Sequence, residues 1–434
     1  MEVAYVKIWD KIVGAVVWNE EKGYASFEYS QDFKKQGWDL APLTMPLRSN
    51  KNLWEFPELK KDPSLPFDTF KGLPGLLADV LPDKYGNTLI NEWLAKNGRP
   101  ANSMNPVELL CFIGNRGMGA LEFEPVVQRD SSKTTRLEID SLVDVAHKIL
   151  NQKQQLKTNI ADNEEKALRD ILKVGTSAGG ARPKAIIAYN EKTGEVRTGQ
   201  NTNLPQGFKH WLLKLDGVSD IQLGDTHGYG RVEMAYYLMA KDCGIQMMPS
   251  QLIEENGRAH FMTLRYDRTS AGEKHHVQTF CAIKHYDFNL VNHFSYEQLF
   301  QTMRELQLPY PEAEQMFRRM VFNVLARNCD DHTKNFAFIL PKNDKWQLAP
   351  AYDLCHAYRP DSIWVSRHAL SINGKRENIT KEDFMEVAEN MNIKKAKEII
   401  QQVNDVVAQW QKYAKQVNVD TKLAKAIEGT LVVI

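Results

Sequence analysis

Apolar and polar positions alternate over residues 1 to about 30, in Val3-Ala4-Tyr5-Val6-Lys7-Ile8-Trp9 and in Ile12-Val13-Gly14-Ala15-Val16-Val17-Trp18. A period of two is the signature of strands, and the breaks at Asp10-Lys11 and Glu20-Glu21-Lys22-Gly23 read as hairpin turns. The proline- and glycine-rich stretch from Pro42 to Pro82 reads as irregular. Helical spacing returns at Leu89, Ile90, Trp93 and Leu94 and stops on Asn97-Gly98. The cluster Gly114-Asn115-Arg116-Gly117-Met118-Gly119 follows a helix and leads into the strand Leu121-Glu122-Phe123, the reverse order of a dinucleotide-binding loop. It is read as a plain turn.

A polar segment from Val127 to Arg136 marks the first boundary, and helices are expected over 138–153 and 161–174. The small-residue run Val174-Gly175-Thr176-Ser177-Ala178-Gly179-Gly180-Ala181-Arg182-Pro183-Lys184 then feeds a strand at Ala185–Tyr189. A second strand is Trp211-Leu212-Leu213-Lys214-Leu215, and a helix runs from about Arg231 to Cys243. Asn256-Gly257 between two apolar runs is a hairpin signal. From about residue 295 the pattern is mainly helical, over 296–307, 312–328 and 380–415, with a strand interruption around 336–348. The expected class is α+β, a β-rich half followed by a helical half, with regions 1–130, 137–290 and 291–434.

Lys plus Arg equals Asp plus Glu at 55 each, so no overall field points to a nucleic acid or a membrane. The five cysteines are scattered without a C-x-x-C pair, which argues against a disulfide framework or a zinc site and fits a reducing cytosol. The N-terminus lacks a signal-peptide pattern, and no apolar run is long enough to span a bilayer. A soluble cytoplasmic protein is expected.

One ordered set of residues carries chemistry. Phosphoryl transfer needs a cover over the phosphates, a cation on them, magnesium ligands and a carboxylate to accept the incoming hydroxyl proton. The 175–184 turn offers backbone N–H groups, Lys214 sits mid-strand, and Glu233 on the following helix is its candidate partner. In Asp330-Asp331-His332-Thr333-Lys334-Asn335, Asp330 and Asn335 are five positions apart, the interval between base and metal-binding Asn in kinase catalytic loops. A hairpin around Lys342-Asn343-Asp344 then delivers Pro350-Ala351-Tyr352-Asp353, with Asp353 placed as a second magnesium ligand. Asp331 competes for the role of base but breaks the five-residue interval. Each piece alone has an ordinary structural reading as turn, snorkelling lysine or helix cap.

With Leu213-Lys214-Leu215, Arg265-Tyr266-Asp267-Arg268, Asn328–Asn335, Leu348–Asp353 and Leu370–Arg376, these strings resemble the HipA family of serine/threonine kinase toxins from type II toxin–antitoxin systems. The resemblance implies an atypical protein-kinase-like, two-lobed α+β fold with an extra N-terminal β-rich subdomain. It implies ATP and Mg2+ as cofactors, with Asp330 as base and Asn335 and Asp353 on the metal. Gly179, Gly180, Ala181, Arg182, Pro183, Lys184, Lys214, Glu233, His332, Lys334 and Tyr352 join Asn335 and Asp353 around the nucleotide. It further implies autophosphorylation at Ser177, with Thr176 adjacent, and a protein substrate such as an aminoacyl-tRNA synthetase. A small helix-turn-helix, HipB-like antitoxin would neutralise the chain and supply most contact with operator DNA. Two departures stand out. Asp353 is followed by Leu354-Cys355 rather than Phe-Gly, and the stretch expected at the adenine hinge reads Lys274-His275-His276-Val277-Gln278. The competing readings are a small-molecule kinase of related plan and a degenerate kinase acting as co-repressor.

Overall fold

The computed structural model describes residues 3–65, 67–126, 134–151, 170–172, 174–175, 182–200, 204–218 and 227–434. The chain forms two compact units. The first comprises 1–39, 47–230 and 250–276, and the second 40–46, 231–249 and 277–434.

The first unit opens with a five-stranded antiparallel sheet in the order β4-β3-β2-β1-β5. Its strands are β1 (Val3–Ile8), β2 (Lys11–Asn19), β3 (Tyr24–Tyr29), β4 (Leu53–Glu55) and β5 (Glu122–Glu124). The alternating positions divide as expected. Ala4, Val6, Ile8 and Phe27 are buried, while Val3, Tyr5 and Val17 face outward. Ile8 pairs with Lys11, so the first turn is Trp9-Asp10, both with positive φ (46° and 63°), the mirror-image turn that suits strand twist. Helix α1 (Lys84–Lys96) ends at Asn97-Gly98, with Gly98 at φ 69°. Helix α2 (Pro106–Ile113) starts at a capping box formed by Asn105 and Glu108.

A second five-stranded sheet, in the order β7-β6-β8-β10-β9, completes this unit. It contains β6 (Lys184–Tyr189), β7 (Val196–Thr198), β8 (Lys209–Lys214), β9 (Ser250–Glu255) and β10 (Arg258–Leu264). Helix α3 (Ile139–Asn151) lays Leu142, Val143, Ala146 and Ile149 on the face carrying Ala185, Ile187, Trp211, Leu213 and Met262. The expected helix 138–153 is therefore present; most of the one expected over 161–174 lies outside the described residues.

The glycine cluster at 114–119 is a turn with a task. Asp267 receives Arg265 through Nε (2.8 Å) and Nη2 (2.6 Å), and Arg268 through Nη1 (2.7 Å). The Gly119 N–H donates to the same carboxylate at 2.7 Å, and the Gly119 carbonyl accepts from Arg268 at 3.0 Å. Gly119 holds φ 77°, a conformation that costs glycine little. Burial opposes the charge on Asp267, but the flanking guanidinium groups outweigh it and hold the carboxyl far below its usual range. Lys274, in the stretch expected at the adenine hinge, joins this region instead. It donates to the Asn115 carbonyl (2.8 Å) and to Glu122 (2.6 Å).

The second unit is mainly helical: α4 (Tyr229–Asp242, belonging here from Arg231), α5 (Phe280–Lys284), α6 (Tyr296–Glu305), α7 (Tyr310–Leu325), α8 (Lys381–Met391), α9 (Ala396–Val407), α10 (Trp410–Gln416) and α11 (Thr421–Glu428). A small sheet, β11 (His276–Thr279), β12 (Ala337–Leu340) and β13 (Gln347–Leu348), accompanies them; β12 and β13 fall in the expected interruption around 336–348, and β11 was not anticipated. The helix expected over 380–415 is broken into α8, α9 and α10. Asn392 adopts the left-handed conformation (φ 59°) and its N–H closes back on Ala388 and Glu389, which stops α8. In the core, Tyr236 packs edge-on against Phe322 and Trp410, and its hydroxyl donates to the Ala326 carbonyl at 2.5 Å. That bond satisfies one of the carbonyls left open at the C-terminus of α7.

Replacing Asp267 with Ala leaves Arg265 and Arg268 buried without their counter-charge. Chemical denaturation is expected to show a loss of about 3–5 kcal/mol, and a loss under about 1 kcal/mol would contradict a structural role for this triad.

Candidate active site

Helix α7 ends in a double-bonded turn that launches the Asp330 loop. Arg327 takes the left-handed conformation (φ 54°), Asn328 N–H donates to the Asn323 carbonyl at 2.8 Å, and Arg327 N–H donates to Val324 at 3.3 Å. This is the pattern that closes helices, here with arginine where glycine is commoner. The Arg327 guanidinium lies 4.8 Å over the Tyr358 ring and its Nε donates to the Thr430 carbonyl, which holds an unfavourable backbone state in place.

The two adjacent aspartates have opposite surroundings. Asp331 is fully buried. It accepts from the Tyr296 hydroxyl (2.8 Å), from the Ala369 N–H (2.7 Å) and from His368 Nδ1 (2.9 Å). The Asp330 side chain is 51% exposed, with His332 Nε2 at 3.7 Å from its carboxylate. A carboxylate already engaged in this way is poorly suited to accept a substrate proton, whereas a half-exposed one remains accessible to it. Asn323 donates to Tyr296 (3.0 Å) and Asn328 donates to Asn323 (2.9 Å), extending the buried network to the helix end.

His368 is the cation of that network. Burial alone pushes its imidazole toward neutrality, but the Asp331 carboxylate outweighs this and carries it up to about 10. Cys329 Sγ stands 3.8 Å from Nε2, and Arg376 Nε donates to the His368 carbonyl at 2.5 Å.

Asn335 closes the loop on itself: its Nδ2 donates to the Asp330 carbonyl at 2.5 Å, leaving Oδ1 as the amide oxygen for a cation. Tyr352 links this loop to the next, its hydroxyl donating to the Lys334 carbonyl at 2.6 Å. The chain neighbours of Asn335 and Asp353 are thereby tied together. Asp353 itself has φ 53°, a left-handed conformation of the kind that persists where surrounding structure enforces it. An amide oxygen and a carboxylate are hard donors suited to magnesium, which ordinarily completes its shell with phosphate oxygens and water. Among the described residues, no three of His, Cys, Asp and Glu converge into a ready-made metal cage.

Other predicted residues have local roles. His332 Nδ1 accepts the Lys334 N–H at 3.2 Å, and its ring sits 5.1 Å from Phe288. The Lys334 ammonium lies 4.8 Å over that same Phe288. Glu233 is buried on α4. In the first unit, Lys184 and Lys214 are direct cross-strand partners and so share one face of the sheet, with Lys214 5.8 Å over the Phe261 ring. Arg182 stacks 4.9 Å over Tyr229, and the Pro183 carbonyl accepts from Leu215 at 3.0 Å. Thr176, Ser177, Gly179, Gly180 and Ala181 lie outside the described residues.

Sequence reasoning missed His368, Tyr296, Glu312 and Arg319. His368 stands 37 positions from Asp331 and carries no local motif. Glu312 and Arg319 were readable only as charges two turns apart on one face of α7.

A family model described as the HipA-like C-terminal domain matches residues 176–410, and one described as the HipA N-terminal domain matches residues 4–124. The structure resembles a chain of the Shewanella oneidensis MR-1 toxin–antitoxin complex of HipA, HipB and its operator DNA. The TM-score is 0.67 at 16% identity, covering 98% of this chain and 94% of the other. At that identity the likeness is one of fold, and the fold is the kinase-like α+β arrangement expected from the sequence. A Haemophilus influenzae protein described as "Putative kinase" is 29% identical over 134 residues, 27% of this chain. The match spans only 39% of that relative's length. The chain belongs to the HipA family. Among the described residues, no helix is long and apolar enough to cross a membrane.

A histidine held near 10 keeps its proton in the folded chain, while the same group in an unfolded chain titrates near 6.5. The unfolded state then binds fewer protons, so the stability from this pair is whole below about pH 6.5 and is lost as pH rises toward 10. Urea denaturation at pH 7 and pH 9.5 is expected to show this loss in the natural chain and a flatter profile in His368→Asn. Parallel profiles would contradict the assigned charge.

Proposed function

We propose that this chain is an ATP-dependent serine/threonine protein kinase acting as a growth-inhibiting toxin. The observation that carries the reading is the contrast between Asp331, buried and bonded, and Asp330, half-exposed beside an Asn335 whose amide is already oriented. Family membership and the kinase description of the Haemophilus influenzae relative support it.

In this reading Asp330 accepts the proton of the attacking hydroxyl, and Asn335 Oδ1 and the Asp353 carboxylate hold Mg2+. When bound, the metal neutralises charge on the nucleotide phosphates. Lys214 places a cation on the phosphates, and the 179–184 backbone covers them. His332, Lys334 and Tyr352 keep the two loops in register around the nucleotide.

Ser177 is the proposed autophosphorylation site. A phosphate there is a dianion competing with ATP phosphates for the same N–H groups, so the modification switches the enzyme off. The Shewanella oneidensis complex supports a HipB-like antitoxin as partner, with operator DNA reached mainly through it. The proposed substrate is a translation-related protein such as an aminoacyl-tRNA synthetase.

Intact-mass measurement after incubation with Mg2+ and ATP tests this. The natural chain is expected to gain phosphate, mapped to Ser177 or Thr176, or to arrive already carrying it. In Asp330→Gln, transfer is expected to slow by about 10²–10⁴-fold. Full transfer by that variant would refute the assignment of the base.

A further inference from the structure

Helix α7 reaches the Asp353 loop through two side chains that lie two turns apart on one of its faces. Glu312 accepts the Leu348 N–H at 2.8 Å, and Arg319 Nη2 donates to the Ala349 carbonyl at 2.7 Å. Leu348 and Ala349 are the last residues before Pro350-Ala351-Tyr352-Asp353. The clasp thus takes hold of consecutive backbone groups where the chain leaves β13. Beyond it, the Ala351 N–H donates to the Gln246 carbonyl at 2.8 Å and Tyr352 reaches Lys334.

Arg319 is an expensive way to bind a carbonyl. Its side chain is almost fully buried (3% relative exposure for the residue), and among the described residues its Nε has no hydrogen-bond partner. Burial lowers its proton affinity to about 10, while Tyr352 and Glu312 act in the opposite direction. A leucine or methionine at this position would fill the core without that cost. What the guanidinium supplies and an apolar side chain lacks is a fixed donor for a strained loop, since Asp353 must be kept at φ 53°.

We propose that Glu312 and Arg319 are positioning residues that hold the Asp353 loop in its metal-binding conformation. The inference rests on the reading of Asp353 as a magnesium ligand. It assigns to α7 a double role, because the same helix ends in the turn that launches Asp330. Groups that orient metal ligands from behind typically change metal affinity by 10–100-fold when removed.

The test is Mg2+-dependent binding of a fluorescent ATP analogue by the full chain, with Mg2+ titrated at fixed nucleotide. In Arg319→Met, the Mg2+ concentration for half-maximal binding should rise by about 10–100-fold, with native circular dichroism. Glu312→Ala should raise it too. Glu312→Gln, which keeps an oxygen for the Leu348 N–H, should stay close to the natural chain. An unchanged midpoint in both Arg319→Met and Glu312→Ala would overturn the proposal. So would a shift in Glu312→Gln equal to that in Glu312→Ala. If Arg319→Met fails to fold, the half-buried Glu312 pair decides the matter. An Asp353→Asn chain with an unchanged midpoint would remove the metal assignment itself, and this inference with it.

Discussion

Between Asp331 and His368 a carboxylate and an imidazolium meet at 2.9 Å, both sealed from solvent. Ionised groups in such a place are tolerated only when paired and further hydrogen-bonded, and both conditions are met. Tyr296 and Ala369 satisfy the carboxylate, and Cys329 lies against the far side of the ring. The consequence falls on the neighbouring residue. With Asp331 pinned inward, the turn carries the Asp330 side chain into the half-exposed position from which a proton can be accepted. The pair also fixes the far end of the segment that begins at Asp353 and ends at His368. The Asp330 loop and the following segment therefore share one electrostatic anchor.

A comparable device operates in the first unit, where Arg265, Asp267 and Arg268 form a buried charged triad with the Gly117–Gly119 backbone. The glycines matter because their peptide groups, rather than side chains, complete the coordination of Arg268 and Asp267. Buried ion groups of this kind add little stability over an apolar core, but they tolerate no register error. They join sequence regions separated by about 150 positions, as the Gly119–Arg268 bond shows.

Much of this was legible in the sequence, for identifiable reasons. The five-residue interval from Asp330 to Asn335 is local, and so is the hairpin that delivers Asp353; local spacing survives folding. The first three strands were readable because alternation reports burial directly, whereas the short β4 lies in the Pro42–Pro82 stretch that reads as irregular. The broken helix near Asn392 was misread because apolar periodicity continues across the break, although the asparagine that stops α8 was itself in view. The glycine turn at 114–119 was recognised as a turn, but its partners lie far along the chain. The same distance hid His368: nothing in the sequence distinguishes the histidine that anchors Asp331 from the other polar residues around it. Which of two consecutive aspartates is buried depends on tertiary contacts, and spacing could only favour one of them.

The most direct measurement is a crystal structure of the chain bound to Mg2+ and a non-hydrolysable ATP analogue. The expected result is a metal ligated by Asn335 Oδ1 and the Asp353 carboxylate, with Asp330 off the metal and Asp331 still bonded to His368. A metal on Asp331, or a nucleotide bound away from Asn335 and Asp353, would contradict the division of labour between the two aspartates.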